Sequence, residues 1–98
     1  RHSSSAASDV YKRQITDSIG WAYYLIENYL EAEKYIRKAV ELMPDDPTVN
    51  DHYGDILWKL NRNIQARYFW NYVLKLDDTD DDIRKQINIK IIEGLNNS

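Results

Sequence analysis

The stretch NDHYGD, residues 50–55, sets a histidine between carboxylates and beside a glycine. It reads either as chemistry or as architecture, and the rest of the chain decides between them. Sliding the sequence along itself until Asp17 falls on Asp51 brings TDSIG, residues 16–20, onto NDHYG, residues 50–54. In the same register Gly20 falls on Gly54, Ala32 on Ala66, Leu42 on Leu76 and Asp46 on Asp80. Apolar pairs fill the gaps: Ile15 with Val49, Ile19 with Tyr53, Ile26 with Leu60, Tyr35 with Phe69, Ala39 with Val73. A fixed period of this length marks a repeat architecture, so the histidine segment is one copy of a structural element.

Each copy reads as two helices. In the first, Ile19, Tyr23 and Ile26 recur at helical spacing, and Asn28 is placed at the left-handed turn that ends the helix. The second helix follows as YLEAEKYIRKAVELM, with Ala32, Ile36, Ala39 and Val40 on one face, and Pro44 stops it. Asp46 is an N-cap, and Pro47 takes the first helical position, where a missing N–H costs nothing. The second copy runs TVNDHYGDILWKL, breaks at NRN, and continues IQARYFWNYVLKL. After LDDTDDD a last helix, IRKQINIKIIEGL, repeats isoleucine at 83, 87 and 91. Gly20 and Gly54 fall inside helices, where glycine costs ~1 kcal/mol against alanine. Close approach of the paired helix offsets that cost, with Ala32 and Ala66 as the expected small residues opposite.

These residues resemble the tetratricopeptide repeat family. The likeness lies in Ile19-Gly20, Tyr23, Ala32, Ile36, Ala39 and Pro44, then Tyr53-Gly54, Leu57, Ala66, Trp70 and Val73. Thr16 and Asn50 depart from it, standing where the family often has a large residue, and Asp78 replaces the second proline. The resemblance implies an all-α fold of two helix-turn-helix repeats, about 13–46 and 47–80, closed by a capping helix over about 80–95. It implies that 15–98 is one repeat domain, an α-solenoid fragment similar to the terminal repeats of longer bacterial members. Residues 1–14, RHSSSAASDVYKRQ, resemble a cloning-derived leader found before unrelated translated environmental sequences. A natural serine-rich linker is the other reading.

By the same resemblance, the first helix of each repeat lines a concave groove that holds a peptide or partner protein. The lining carried over by position is Asp17, Trp21, Tyr24 and Leu25, then Asp51, Asp55, Trp58 and Lys59. Asp51, Asp55 and Lys59 fall on one ridge at i, i+4, i+8. Carboxylates beside large aromatics suit a basic or amphipathic segment. A basic clamp for a C-terminal carboxylate is not supported, because Asp17 and Trp21 stand where it needs Lys, Arg or Asn. Against the groove stands packing. Trp21 and Trp58 at helical spacing suit contact with a neighbouring repeat or the capping helix, and Asp55 with Lys59 suits a solvated pair.

Other chemistry fits poorly. His52 has Asp55 at i+3, but its first-copy counterpart is Ser18 and no third ligand is in reach, so it reads as a bystander on a helix surface with Asp51 and Asp55 facing outward. Asp78, Asp80 and Asp82 have the alternate spacing of a calcium loop, yet Ile83 and Ile89 occupy its glycine and glutamate positions. Asp80 to Asp82 read instead as cap and first-turn charge for the last helix. No cofactor and no enzymatic activity are expected. A net charge of −3 weighs against nucleic acid, and no apolar run is long enough to span a membrane. The chain has no cysteine, hence no disulfide framework. Two functions stay open: a scaffold binding a peptide or protein in its groove, or a structural terminus that caps a longer solenoid or forms homo-oligomers. The compartment, cytoplasmic or periplasmic, is not legible.

Overall fold

A computed structural model describes residues 15–95, so the leader expectation for residues 1–14 lies outside the described residues. Five helices follow one another: α1 over 15–25, α2 Tyr29–Leu42, α3 Pro47–Lys59, α4 Asn63–Lys75 and α5 Asp81–Glu93. The period of the sequence is visible in their starts, Tyr29 with Asn63 and Pro47 with Asp81. Short turns make α1/α2 and α3/α4 antiparallel hairpins. Along the array α2 packs on α3, α3 on α4, and α4 on α5. No strand occurs among the described residues.

The turns inside the two hairpins share one device. Glu27 and Asn61, equivalent positions of the two copies, both adopt a left-handed φ of 65°. This corrects the sequence expectation for Asn28, which instead caps α2 by accepting from the Glu31 N–H at 3.5 Å. Ile26, expected on the inward face, lies past the end of α1 and is exposed. Between the hairpins Asp46 does cap α3, accepting from the Val49 N–H at 3.0 Å, with Pro47 in the first turn. The odd polar residue Asn50 is buried and has a task there. Its amide donates to the carbonyls of Pro44 at 3.0 Å and Asp46 at 2.8 Å, fixing the turn between hairpins. Arg84 sits one period further on and donates to the carbonyls of Leu74, Leu76 and Thr79, which closes the C-terminal end of α4.

The core divides by repeat. Ala32, Ile36, Ala39, Val49 and Ile56 are buried together, and Tyr23 and Tyr24 of α1 pack against them. Leu57, Ala66, Trp70, Val73 and Ile87 form the second group, with Ile83, Ile91 and Leu95 from the last helix and its exit. Tyr53 touches both groups, so the two hairpins share one continuous interior. The glycines behave differently from one another. A Cβ on Gly20 would stand 3.1 Å from the backbone nitrogen of Ile36 and 3.4 Å from the Ala32 carbonyl, which is the close helix approach expected. A Cβ on Gly54 would strike the indole of Trp70 instead. The second copy therefore uses its glycine to seat a large ring, not to meet Ala66, because Trp70 stands where the first copy has Ile36.

Candidate partner-binding surface

Helices α1, α3 and α5 lie in a row, and most of the residues singled out from the sequence occupy its two seams. At the first seam, Asp17 of α1 reaches across to α3, its Oδ1 3.0 Å from Nδ1 of His52. The His52 ring lies over Trp21 at 3.9 Å between centroids and 16° between planes, and Tyr24 stacks on Trp21 at 4.4 Å and 13°. Tyr29 tilts against Tyr24 from the start of α2. Burial, and then the nearby charge of Asp55, raise the Tyr24 phenol well above its ordinary value, with Tyr29 and Asp51 adding to it. His52 is thus an integral member of the seam. The bystander expectation failed because an exposed position within one helix is an interface position once two such helices lie side by side.

The second seam is ionic. Lys90 of α5 donates to Asp51 Oδ1 at 2.8 Å and to the Asp55 oxygens at 3.0 and 3.2 Å. Asp55 also accepts from the indole N–H of Trp70 at 3.2 Å. It is only 6% exposed. The expectation that Asp51 and Asp55 face outward, with Asp55 in a solvated pair with Lys59, is therefore corrected. Gly54 admits the Trp70 indole beside α3, the indole binds the neighbouring carboxylate, and α5 covers both. Burial first, and next the charge of Asp51, lift the Asp55 carboxyl from its ordinary 3.8 to about 6, against the opposing pull of Lys90 and His52. For Lys90 burial alone works against the ammonium. The charges of Asp55 and Asp51 and their hydrogen bonds outweigh it and hold the group above its ordinary value.

The remaining predicted residues separate. Trp58 stacks on Trp70 at 5.6 Å, carries the Arg67 guanidinium 5.0 Å above its ring, and has Gly94 against its far edge. Gly94, at φ 71°, has no room for a side chain there. Lys59 is partly buried at the end of α3. Leu25, at the end of α1 beside Tyr24, is 66% exposed. Asp17, Trp21, Tyr24 and Asp51 are half-buried, so each keeps an accessible edge. Sequence reasoning missed Lys90. The clue lay in the period: positions 22 and 56 of the same register hold alanine and isoleucine, so a lysine at 90 is out of pattern.

Asp80 is the N-cap of α5, and Asp81 and Asp82 lie in its first turn, where the helix dipole favours negative charge. Among the described residues no three histidine, cysteine, aspartate or glutamate side chains are placed to hold a metal ion. No described helix is long and apolar enough to cross a membrane.

Comparison with known proteins gives one match. Residues 17–46 match the family model for the tetratricopeptide repeat, a span that runs from the Asp17 of the first seam to the N-cap of α3. No curated protein and no solved structure matches the chain. Tetratricopeptide repeats are in general non-enzymatic helical scaffolds for protein interaction. That match lies on helices that recur at one fixed period, so residues 17–46 carry a tetratricopeptide repeat and the all-α helical-repeat architecture continues through the second hairpin.

Proposed function

We propose that the chain is a non-catalytic scaffold that holds a segment of a partner protein along α1 and the α1/α3 seam. The observation that carries this is the Tyr24–Trp21–His52 stack, half-buried and edged by the half-buried carboxylates of Asp17 and Asp51 beside the exposed Leu25. Aromatic edges on a rigid wall provide anchoring area at low entropic cost, and the carboxylates set orientation. Three carboxylates, Asp17, Asp51 and Asp55, face Lys90 and one imidazole across these seams, which favours a basic or amphipathic segment. Asp55 and Trp58 act in this reading from below, as packing that holds α3 in place.

The test is a titration of the full chain with a lysine-rich amphipathic peptide, an acidic peptide of the same length, and a neutral one. Preference for the basic peptide, weakened by salt and by Leu25→Asp, supports the proposal. Equal binding of all three, or indifference to Leu25→Asp, sinks it. A second reading, a structural terminus or homo-oligomer, is favoured by Ile26 and Leu30, which are 70% and 66% exposed at the same end of the array. Sedimentation of the chain alone separates the two: self-association lost in Leu30→Lys favours the structural reading.

A further inference from the structure

The helix row has a third member whose outer side no described element covers. Helix α5 stands one period after α3, so positions 17, 51 and 85 are equivalent, as are 21, 55 and 89, and 24, 58 and 92. On α1 and α3 these are seam positions. His52 of α3 covers Asp17 and Trp21, and Lys90 and Gly94 of α5 cover Asp51, Asp55 and Trp58. On α5 the same positions are Lys85, Ile89 and Ile92, on one ridge at i, i+4, i+7. Ile89 is 55% exposed and Ile92 78%. Single apolar residues on a surface need no explanation. Two on one ridge, at positions that are interfacial in both earlier helices, do. A helix that only closes an array presents a polar outer face.

We infer that α5 docks an amphipathic helix of a partner protein, laid beside it as the next member of the row. The occupant covers Ile89 and Ile92 with apolar residues and turns a carboxylate toward Lys85. Its helical form follows from continuity, since at both existing seams these positions are covered by a helix. Its charge follows from sign. Asp17 and Asp51 meet an imidazole and an ammonium, and Lys85 reverses the charge at that position. A second copy of this chain stacked in the same way fits less well. The residues of α1 equivalent to His52 and Lys90 are Ser18 and Ala22, which offer Lys85 no carboxylate. This surface lies apart from the proposed groove on α1, so either reading can fail alone.

The probe is a synthetic peptide of residues 79–95, which already lies on such a ridge in the α3/α5 seam, carrying Lys90→Glu. The unmodified peptide is its control. Fluorescence anisotropy with the full chain should show the Lys90→Glu peptide binding roughly five-fold more tightly at low salt. Lys85→Glu in the protein should reverse the order. Ile92→Asp, at a position too exposed to affect folding, should remove binding of the Lys90→Glu peptide. Absence of binding overturns the inference, and so does binding indifferent to Ile92→Asp, which would mean the peptide has found another surface. Self-association of the chain that Ile92→Asp dissolves would make a second copy the occupant and overturn it equally.

Discussion

At the α1/α3 seam a carboxylate meets an imidazole under stacked rings; at the α3/α5 seam two carboxylates share one ammonium. The backbones repeat, but the forces do not. The first seam can lose a polar group and keep its ring contacts. The second rests on a charge balance around the buried Asp55, where an unpaired ion is far more destabilising than a lost surface pair. One repeat geometry therefore tolerates two kinds of joint, and the kinds should differ sharply when a single residue is removed.

The largest effect is expected from Lys90→Ala. It leaves Asp51 and the buried Asp55 facing each other, and at pH 7.5 it should destabilise the chain by about 3 kcal/mol. Asp17→Asn at the other seam should cost under about 1 kcal/mol. The comparison sharpens with pH. Asp55 has a folded-state value of about 6 against an ordinary 3.8, so the folded chain binds the extra proton within that window. Stability from this group is fully present below about 4 and falls as pH rises through about 6. Removing Lys90 raises Asp55 further, so the penalty of Lys90→Ala should shrink between pH 7.5 and pH 5. Urea melts of both variants at the two pH values read this directly. A Lys90→Ala penalty equal to that of Asp17→Asn at pH 7.5 would break the distinction between the seams.

A middle-sized effect separates the two glycines. Gly54→Ala gains ~1 kcal/mol of helix propensity but pushes into the Trp70 indole. That ring is fully buried and tied to Asp55, so it cannot retreat. A net loss of about 1–2 kcal/mol is expected from overpacking. Gly20→Ala meets the Ile36 backbone nitrogen at 3.1 Å, a tight contact that a small helix shift relieves. Propensity then roughly balances strain, and its melting should stay within about 0.5 kcal/mol of the parent. Equal losses at both sites would mean the Trp70 ring moves more easily than its contacts imply.

Much of this is legible in the sequence, for identifiable reasons. The period, the Asp46-Pro47 helix start and the buried alanines are local signals, each decided by a few neighbouring residues. Helical spacing puts Ile36 inward, and the repeat resemblance puts Trp70 at the matching position of the second copy. The seam chemistry is not legible in the same way. Lys90 meets Asp51 and Asp55 from 39 and 35 residues away, on a helix expected only to close the array. Asp55 reads as a surface carboxylate until Trp70 is known to lie against Gly54. His52 reads as surface until α1 lies beside α3. Interfaces between repeats are set by pairs of distant positions, and a periodic pattern names the positions without naming the pairs.

The smallest effect tests that lesson at the turns. Glu27 and Asn61 hold the same left-handed φ of 65°, yet their chemistry differs. Asparagine reaches that region readily, whereas for a longer side chain the crowding of Cβ against the carbonyl costs roughly 1–2 kcal/mol. The first hairpin therefore carries strain that the second avoids. Glu27→Asn should raise stability by about 0.5–1 kcal/mol, and Asn61→Glu should lower it by a similar amount. Neither change touches Asn28 or Arg62, the N-caps that follow, so helix capping stays constant across the pair. Thermal melts of the two single variants and the double swap measure it. Opposite shifts that cancel in the swap would place the difference in the turn residue alone. A loss at Glu27→Asn would mean that the carboxylate makes a contact stronger than the strain it carries.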